Sequence, residues 1–318
     1  MAEHVESEVL GTQPQSAAAH IRVANAPCSW GVLEFESTAS APGYAQVLDE
    51  IARSGYAGTE LGDWGFMPTQ PDRLRDALAA RRLALLGAFV TLDLRRAETF
   101  ADGIAVAVRT AQLMSAAGAM QPFIVLSDVT ATDPERTRCA GRIAQRQSLS
   151  DRQWDVAAQG VTAVAQAVHD ATGLRTVFHH HCAAFVETPR EVDALMTRTD
   201  AALVGLCLDT GHITYGGGSP LDLLRRYGNR VWHVHFKDCE PVIAERARTD
   251  GWDYLAAIRH GLFCELGRGS VDFHSVLEDL RARDYQGWIV VEQDVLPSLG
   301  SPLASATRNR EYLRSLGL

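Results

Sequence analysis

From residue 21 to the end of the chain, short apolar runs alternate with helix-length segments whose apolar side chains recur every three or four positions. A first strand over 21–27 runs into Cys28, Ser29, Trp30 and Gly31. Tyr44, Val47, Leu48 and Ile51 give a helix over 42–54 that stops at Gly55. A second strand over 57–61 carries Glu60 and opens into Gly62, Asp63, Trp64 and Gly65. A helix over 71–81 takes Pro71 in its first turn; a third strand over 83–90 and a long helix over 97–117, closed by Gly118, follow. The fourth strand, 123–126, leads to Asp128. Residues 130–151 read as a long polar, Arg-rich loop, a length often used for lids or binding loops. Ser150 or Asp151 caps a helix to Thr172, with Gly173 after it. The fifth strand begins at 176–178 and ends in His179, His180 and His181, and a helix over 188–196 starts at Thr188 and Pro189. Strands six and seven, 203–208 and 231–234, flank a helix over 221–227. Helices over 253–260 and 273–283 precede an eighth strand, 288–292, and a helix over 305–316 closes the chain.

Eight strands alternating with helices, with no linker among them, predict an α/β fold that is a single (β/α)8 TIM barrel over 21–318. An open doubly wound sheet is the competitor. It usually carries a glycine-rich phosphate fingerprint after its first strand, and Cys28-Ser29-Trp30-Gly31 is no such fingerprint. Residues 1–20 are acidic and polar and read as a disordered leader, not an export signal. At 318 residues, 46% hydrophobic and 22% charged, the composition is that of a globular protein. A net charge of -9 speaks against nucleic-acid and anionic-membrane partners, and no apolar run is long enough for a membrane span. Six scattered cysteines without a CxxC pair suit reduced thiols in a cytoplasmic protein.

Polar side chains gather where strands end: Glu60, His179, His181, Asp209, His235 and Glu292. In a closed parallel barrel these ends converge on one mouth. Two carboxylates with one or two imidazoles suit a borderline divalent ion such as Mn, Co, Fe or Zn. Strand alternation separates the histidines: His233 and His235 share a face, with His235 nearer the strand end and His233 deeper in the barrel. His179 and His181 likewise share a face, and His180 is expected to point toward the helices. His212, three residues past Asp209, is placed to touch substrate from a loop, and Asp294 is an alternative to Glu292.

The blocks LCLDTGH (206–212), VWHVHFKD (231–238), FCELGRGSVDF (263–273) and GWIVVEQD (287–294) resemble the xylose-isomerase-like sugar isomerase/epimerase superfamily. FHHHCAAFVET (178–188), GTELGDWGFMP (58–68) and SWG (29–31) are most similar to its inosose dehydratase branch. The resemblance implies a single divalent-metal site at the barrel mouth, with Mn favoured over Co, Mg or Zn. Asp209, His235 and Glu292 match family ligands. Many relatives end the fifth strand on a Glu ligand where this chain has His179 and His181, so Glu187, slightly favoured, or His181 completes the sphere. The activity implied is loss of water from a keto-inositol or related keto-sugar in inositol catabolism, a small polyol substrate. Glu60, His181, His212 and Lys237 are the candidates for proton transfer, hydroxyl recognition or oxyanion support. Trp30 and Trp64 are placed to stack on a sugar ring, with His179 as a further substrate contact. An isomerase or epimerase of a ketose or inosose shares the enolate and differs in where the proton returns. A phosphodiesterase resembling endonuclease IV needs several metals and a basic groove, which the charge disfavours; a non-catalytic barrel is the remaining alternative. Outer barrel helices leave room for a homo-oligomer, but no apolar stripe marks one.

Overall fold

The computed structural model describes residues 21–32, 42–294 and 299–318. The leader expected over 1–20 lies outside them. Nine parallel strands pair side by side: β1 (Arg22–Asn25), β2 (Gly58–Thr59), β3 (Ala84–Leu85), β4 (Gly87–Leu92), β5 (Phe123–Asp128), β6 (Arg175–His179), β7 (Val204–Asp209), β8 (Val231–Phe236) and, after a short antiparallel pair β9 (Asp238–Cys239) and β10 (Phe263–Cys264), β11 (Trp288–Val291). Their order is β3-β2-β1-β11-β8-β7-β6-β5-β4.

The two ends of that order, β3 and β4, are halves of the one strand expected over 83–90. Leu86 joins them. Its N–H donates to the Thr59 carbonyl (3.0 Å) and its carbonyl accepts from the Phe123 N–H (2.8 Å), so the hydrogen-bonded ring closes through this residue. The result is an eight-stranded barrel with a kinked third strand, the (β/α)8 architecture the pattern predicted. The kink has a use. A Cβ on Gly87 would stand 3.1 Å from Val125 Cγ2 and 3.3 Å from Glu60 Oε1, so glycine leaves the interior space that the Glu60 side chain occupies.

Eight helices cover the outside: α1 (Tyr44–Arg53), α2 (Pro71–Ala79), α3 (Phe100–Ala116), α5 (Asp151–Thr172), α6 (Pro189–Met196), α8 (Pro220–Tyr227), α11 (Phe273–Ala282) and α12 (Pro302–Ser315). Their buried stripes, such as Val161, Val164, Ala165 and Val168 of α5, join the outward faces of the strands in one core. Removing these apolar side chains from water stabilises the shell by roughly 1.5–3 kcal/mol for each large one.

Four more helices sit above the C-terminal ends of the strands: α4 (Pro134–Cys139), α7 (Thr210–Tyr215), α9 (Pro241–Thr249) and α10 (Tyr254–Arg259). The stretch 130–151, expected to be a loop, holds α4, whose N-cap Asp133 accepts from the N–H groups of Glu135 and Arg136. A second small core of Ala140, Cys182, Tyr215, Tyr254, Ile258 and Phe263 joins these pieces into a cap. Arg142 ties the insertion down through the carbonyls of Ala247 and Trp252 (3.2 and 3.0 Å), so it rests on its own chain. Arg136, 1% exposed, makes a two-pronged ion pair with Glu191 (2.8 and 2.9 Å) and bonds the Ala184 carbonyl. Among the described residues all six cysteines are free, and no helix is long and apolar enough to cross a membrane.

Glu191 also accepts from the N–H groups of Glu187 and Thr188. Glu191→Ala therefore leaves a buried guanidinium unpaired, and we expect a loss of about 3–5 kcal/mol in unfolding free energy. Urea denaturation followed by circular dichroism checks this; a loss under about 1 kcal/mol would mean that the pair does not anchor the cap.

Candidate active site

The mouth of the barrel is built from strand ends. Asp209 closes β7 and is also the N-cap of α7: its Oδ1 accepts from the His212 N–H at 2.8 Å. Helix capping thus fixes the carboxylate and leaves Oδ2 facing inward without a hydrogen-bond partner. His179, the last residue of β6, places Nε2 3.6 Å from that oxygen, and neither ring nitrogen has a partner. His235 of β8 turns Nδ1 toward Glu292 Oε1 (3.2 Å) and Asp209 Oδ2 (4.0 Å), again without a hydrogen bond. Glu292 follows β11 directly. Donor atoms of His179, Asp209, His212 and Glu292 all lie within 4.8 Å of one another.

Buried polar atoms are normally paired. Three side chains with orphaned donor atoms, His179, Asp209 and His235, converge from three strands, and their mix of nitrogen and oxygen fits a divalent cation. The structure brings Asp209, His235 and Glu292 together, and His179 and His212 lie beside them. Glu187 stands apart. Both its oxygens are taken by backbone N–H groups, of Gly141 at 2.6 Å and Ala183 at 2.8 Å, and it joins no group of clustered donors among the described residues. It locks the cap to the loop after β6, and burial pushes its carboxyl up to about 7.

Lys237 is the only lysine in the chain; every other basic residue is arginine. It is 2% exposed, with Nζ 3.1 Å from Glu292 Oε2, 3.3 Å from Asp294 Oδ1 and 3.1 Å from His212 Nε2. A compact ammonium fits between two converging carboxylates beside the His212 ring, where a planar guanidinium would not. Burial opposes its charge, but Asp294 and Glu292 outweigh it and hold the pKa well above the ordinary value. Burial likewise opposes the charge of Asp209, yet Lys237 and His179 hold its carboxyl below the usual range. His212 Nδ1 accepts from the Cys182 N–H (3.3 Å), which puts the ring proton on Nε2, against the Lys237 ammonium.

Glu60 enters from the end of β2. Its Oε1 accepts from His235 Nε2 at 3.0 Å and from His233 Nε2 at 2.7 Å. Burial would raise its pKa, but His235 and His233 bring it down to about 2. His181 Nδ1 lies 2.7 Å from the Cys182 carbonyl and 3.3 Å from Thr130 Oγ1. Burial, with His179 and Lys237 beside it, pushes His181 down to about 3, so the ring is neutral at pH 7. His180 does not face the helices: its Nε2 accepts from the Asp209 N–H at 3.3 Å, which braces β7 where the cluster begins.

A cavity of about 50 Å³ opens beside the cluster, its polar lining from Glu60, His179, His181, Lys237, Glu292 and Asp294 and its apolar lining including Pro27, Val32 and Phe89. The tryptophans expected to stack on substrate are not on it. Trp30 is buried in the outer core and donates Nε1–H to Glu50 (2.7 Å); the Trp64 ring is covered by the Arg109 guanidinium at 4.1 Å. Phe89 supplies the aromatic wall instead. Its alternation with Gly87 on one face of the third strand was the available signal.

The chain belongs to the xylose isomerase-like TIM barrel family, whose sequence profile matches residues 48–316. Within that family it is similar to inosose dehydratases. The one from Lactiplantibacillus plantarum is 33% identical over 91% of this chain and 94% of its own length. The one from Salmonella typhimurium is 32% identical over 93% and 96%. Among solved structures, 3-keto-D-glucoside 4-epimerase from E. coli superposes with a TM-score of 0.66 at 16% identity, over 93% of this chain and all of that one, which is likeness of fold.

Asp209→Asn and His235→Ala are each expected to lower bound cation from near one per chain to near zero, with urea midpoints of the cation-free proteins kept. Mass-spectrometric metal analysis after dialysis decides it; full metal content in either variant would remove that residue from the site.

Proposed function

We propose that this protein is a divalent-metal-dependent dehydratase acting on an inosose or closely related cyclic keto-polyol. The observation that carries the proposal is the set of orphaned donor atoms on His179, Asp209 and His235, with the Glu292 carboxylate and the buried Lys237 ammonium beside them. The similarity to inosose dehydratases over more than nine-tenths of the chain supports the substrate class. His179, Asp209, His235 and Glu292 would hold the ion, manganese by preference; when bound, it supplies Lewis-acid polarisation of a substrate carbonyl and so acidifies the neighbouring C–H. The six free cysteines fit a cytoplasmic setting, where thiols stay reduced.

The remaining steps belong to side chains. His181, whose Nδ1 carries its proton toward the Cys182 carbonyl, has its acceptor lone pair on Nε2; it takes the proton next to the ketone. Lys237 also lines the cavity and gives a proton to the departing β-hydroxyl, with His212 in contact with its ammonium. Asp294 and Glu292 keep that ammonium charged and aimed. Phe89 and Val32 offer an apolar wall to the C–H face of a ring, and the acidic side chains of the lining accept from its hydroxyls. The cap over β6 to β8 excludes water from this space, which strengthens each of these interactions.

Elimination generates a conjugated product with ultraviolet absorbance, whereas epimerisation generates none. Purified protein loaded with Mn²⁺ and given an inosose is expected to show rising ultraviolet absorbance with loss of one water by mass spectrometry. A new isomer of unchanged mass would make the protein an epimerase instead. Lys237→Met and His181→Gln should each lower kcat by about 10²–10⁴-fold, the usual contribution of a general acid or base. Phe89→Ala should raise KM about tenfold, as expected from losing roughly 1–2 kcal/mol of aromatic contact, while Trp64→Ala leaves it unchanged. The opposite order would return the stacking role to Trp64.

A further inference from the structure

We infer that Glu60 and His233 are positioning residues that fix which nitrogen of His235 is offered to the cation. The inference rests on the metal-centre reading above and not on the identity of the substrate. An imidazole ligates through a lone pair, and the partner of its other nitrogen decides where that lone pair sits. Here the partner is a carboxylate, which only accepts. Glu60 Oε1 at 3.0 Å places the proton of His235 on Nε2 and leaves the lone pair on Nδ1. Nδ1 is the nitrogen that faces Glu292 and Asp209 and has no hydrogen-bond partner.

His233 makes the arrangement specific. Two residues earlier on β8, and so on the same inner face, it donates from Nε2 to the same oxygen at 2.7 Å. The two rings stand 5.0 Å apart at 74°, so a single oxygen is held from two directions and cannot swing into the cavity that Glu60 also lines. The Phe123 ring backs His233 at 5.4 Å. Glu60 reaches β8 from β2, on the far side of β1 and β11 in the sheet order, and Gly87 leaves the room for it to do so. A carboxylate this deep is costly to desolvate. Two charge-assisted hydrogen bonds offset that cost, and their geometric consequence is the orientation of His235. Glu60 is thereby moved from the proton-transfer role expected of it to one that acts through a ligand.

The test uses the full-length chain, with Co²⁺ as both ligand and probe. Glu60→Leu removes the acceptor, Glu60→Gln keeps an acceptor oxygen without the charge, and His233→Phe removes the second donor. Co²⁺ affinity is measured by competition with a chelator, the coordination by its visible absorption bands, and folding by the urea midpoint of the cation-free protein. Glu60→Leu should weaken Co²⁺ binding by about 10–100-fold and change the absorption bands. Glu60→Gln should recover most of both. His233→Phe should fall between them, and carries the test alone if Glu60→Leu does not fold. Wild-type affinity and bands in Glu60→Leu or in His233→Phe would overturn the inference, as would a Glu60→Gln no better than Glu60→Leu. Wild-type protein that takes up no Co²⁺ would overturn the metal centre itself, and the relay with it; absence of dehydratase activity touches neither.

Discussion

Everything at the mouth of this barrel depends on the mutual compensation of charges that water does not reach. Asp209, Lys237 and Glu60 are each at most 3% exposed, and Glu292 nearly so. Any one of them alone would shift its protonation state or destabilise the fold by several kcal/mol. They persist together because each carboxylate faces a cation or an imidazole, and because strand ends hold them at fixed spacing. The lone pairs left over, on Asp209, His179 and His235, are the part of the balance that protein groups do not complete.

The barrel supplies this precision at low cost. Its strands pair residue by residue, so a side chain at the end of β2 and another at the end of β8 are held relative to each other by three successive ladders. The cap adds a second layer of control. Its small core forms around Tyr215, Tyr254 and Phe263, and Phe263 also packs against His212 and beneath the Lys237 ammonium. Packing in the cap and proton placement in the site are therefore one structural problem.

Much of this was legible along the chain. Period-two and period-3.6 patterns gave the eight-stranded barrel, and strand-end polarity picked out Asp209, His235 and Glu292, because a buried parallel strand has no local use for such residues. The kink at Leu86, helix α4 inside the polar insertion and helix α7 after Asp209 were not legible, since each is stabilised by partners distant in sequence. The tryptophans misled for the same reason: an aromatic next to a Gly-rich turn looks like a sugar platform until Glu50 and Arg109 are seen to occupy it. The solitary status of Lys237 was a signal in plain view, meaningful only beside the two carboxylates and the imidazole around it.

The sequence by itself determined the alternation of elements, the strand termini that carry polar groups and hence the residues able to meet at one end of a barrel, because periodicity and burial are local properties. Only the tertiary structure decided which of them meet: His179 stands beside Asp209 while backbone N–H groups take up Glu187, Glu60 bonds both His233 and His235, and Phe89 lines the cavity that Trp30 and Trp64 do not reach. Those choices turn on differences of a few ångströms between side chains on separate elements, a distance scale that closure of the barrel sets and no local pattern encodes.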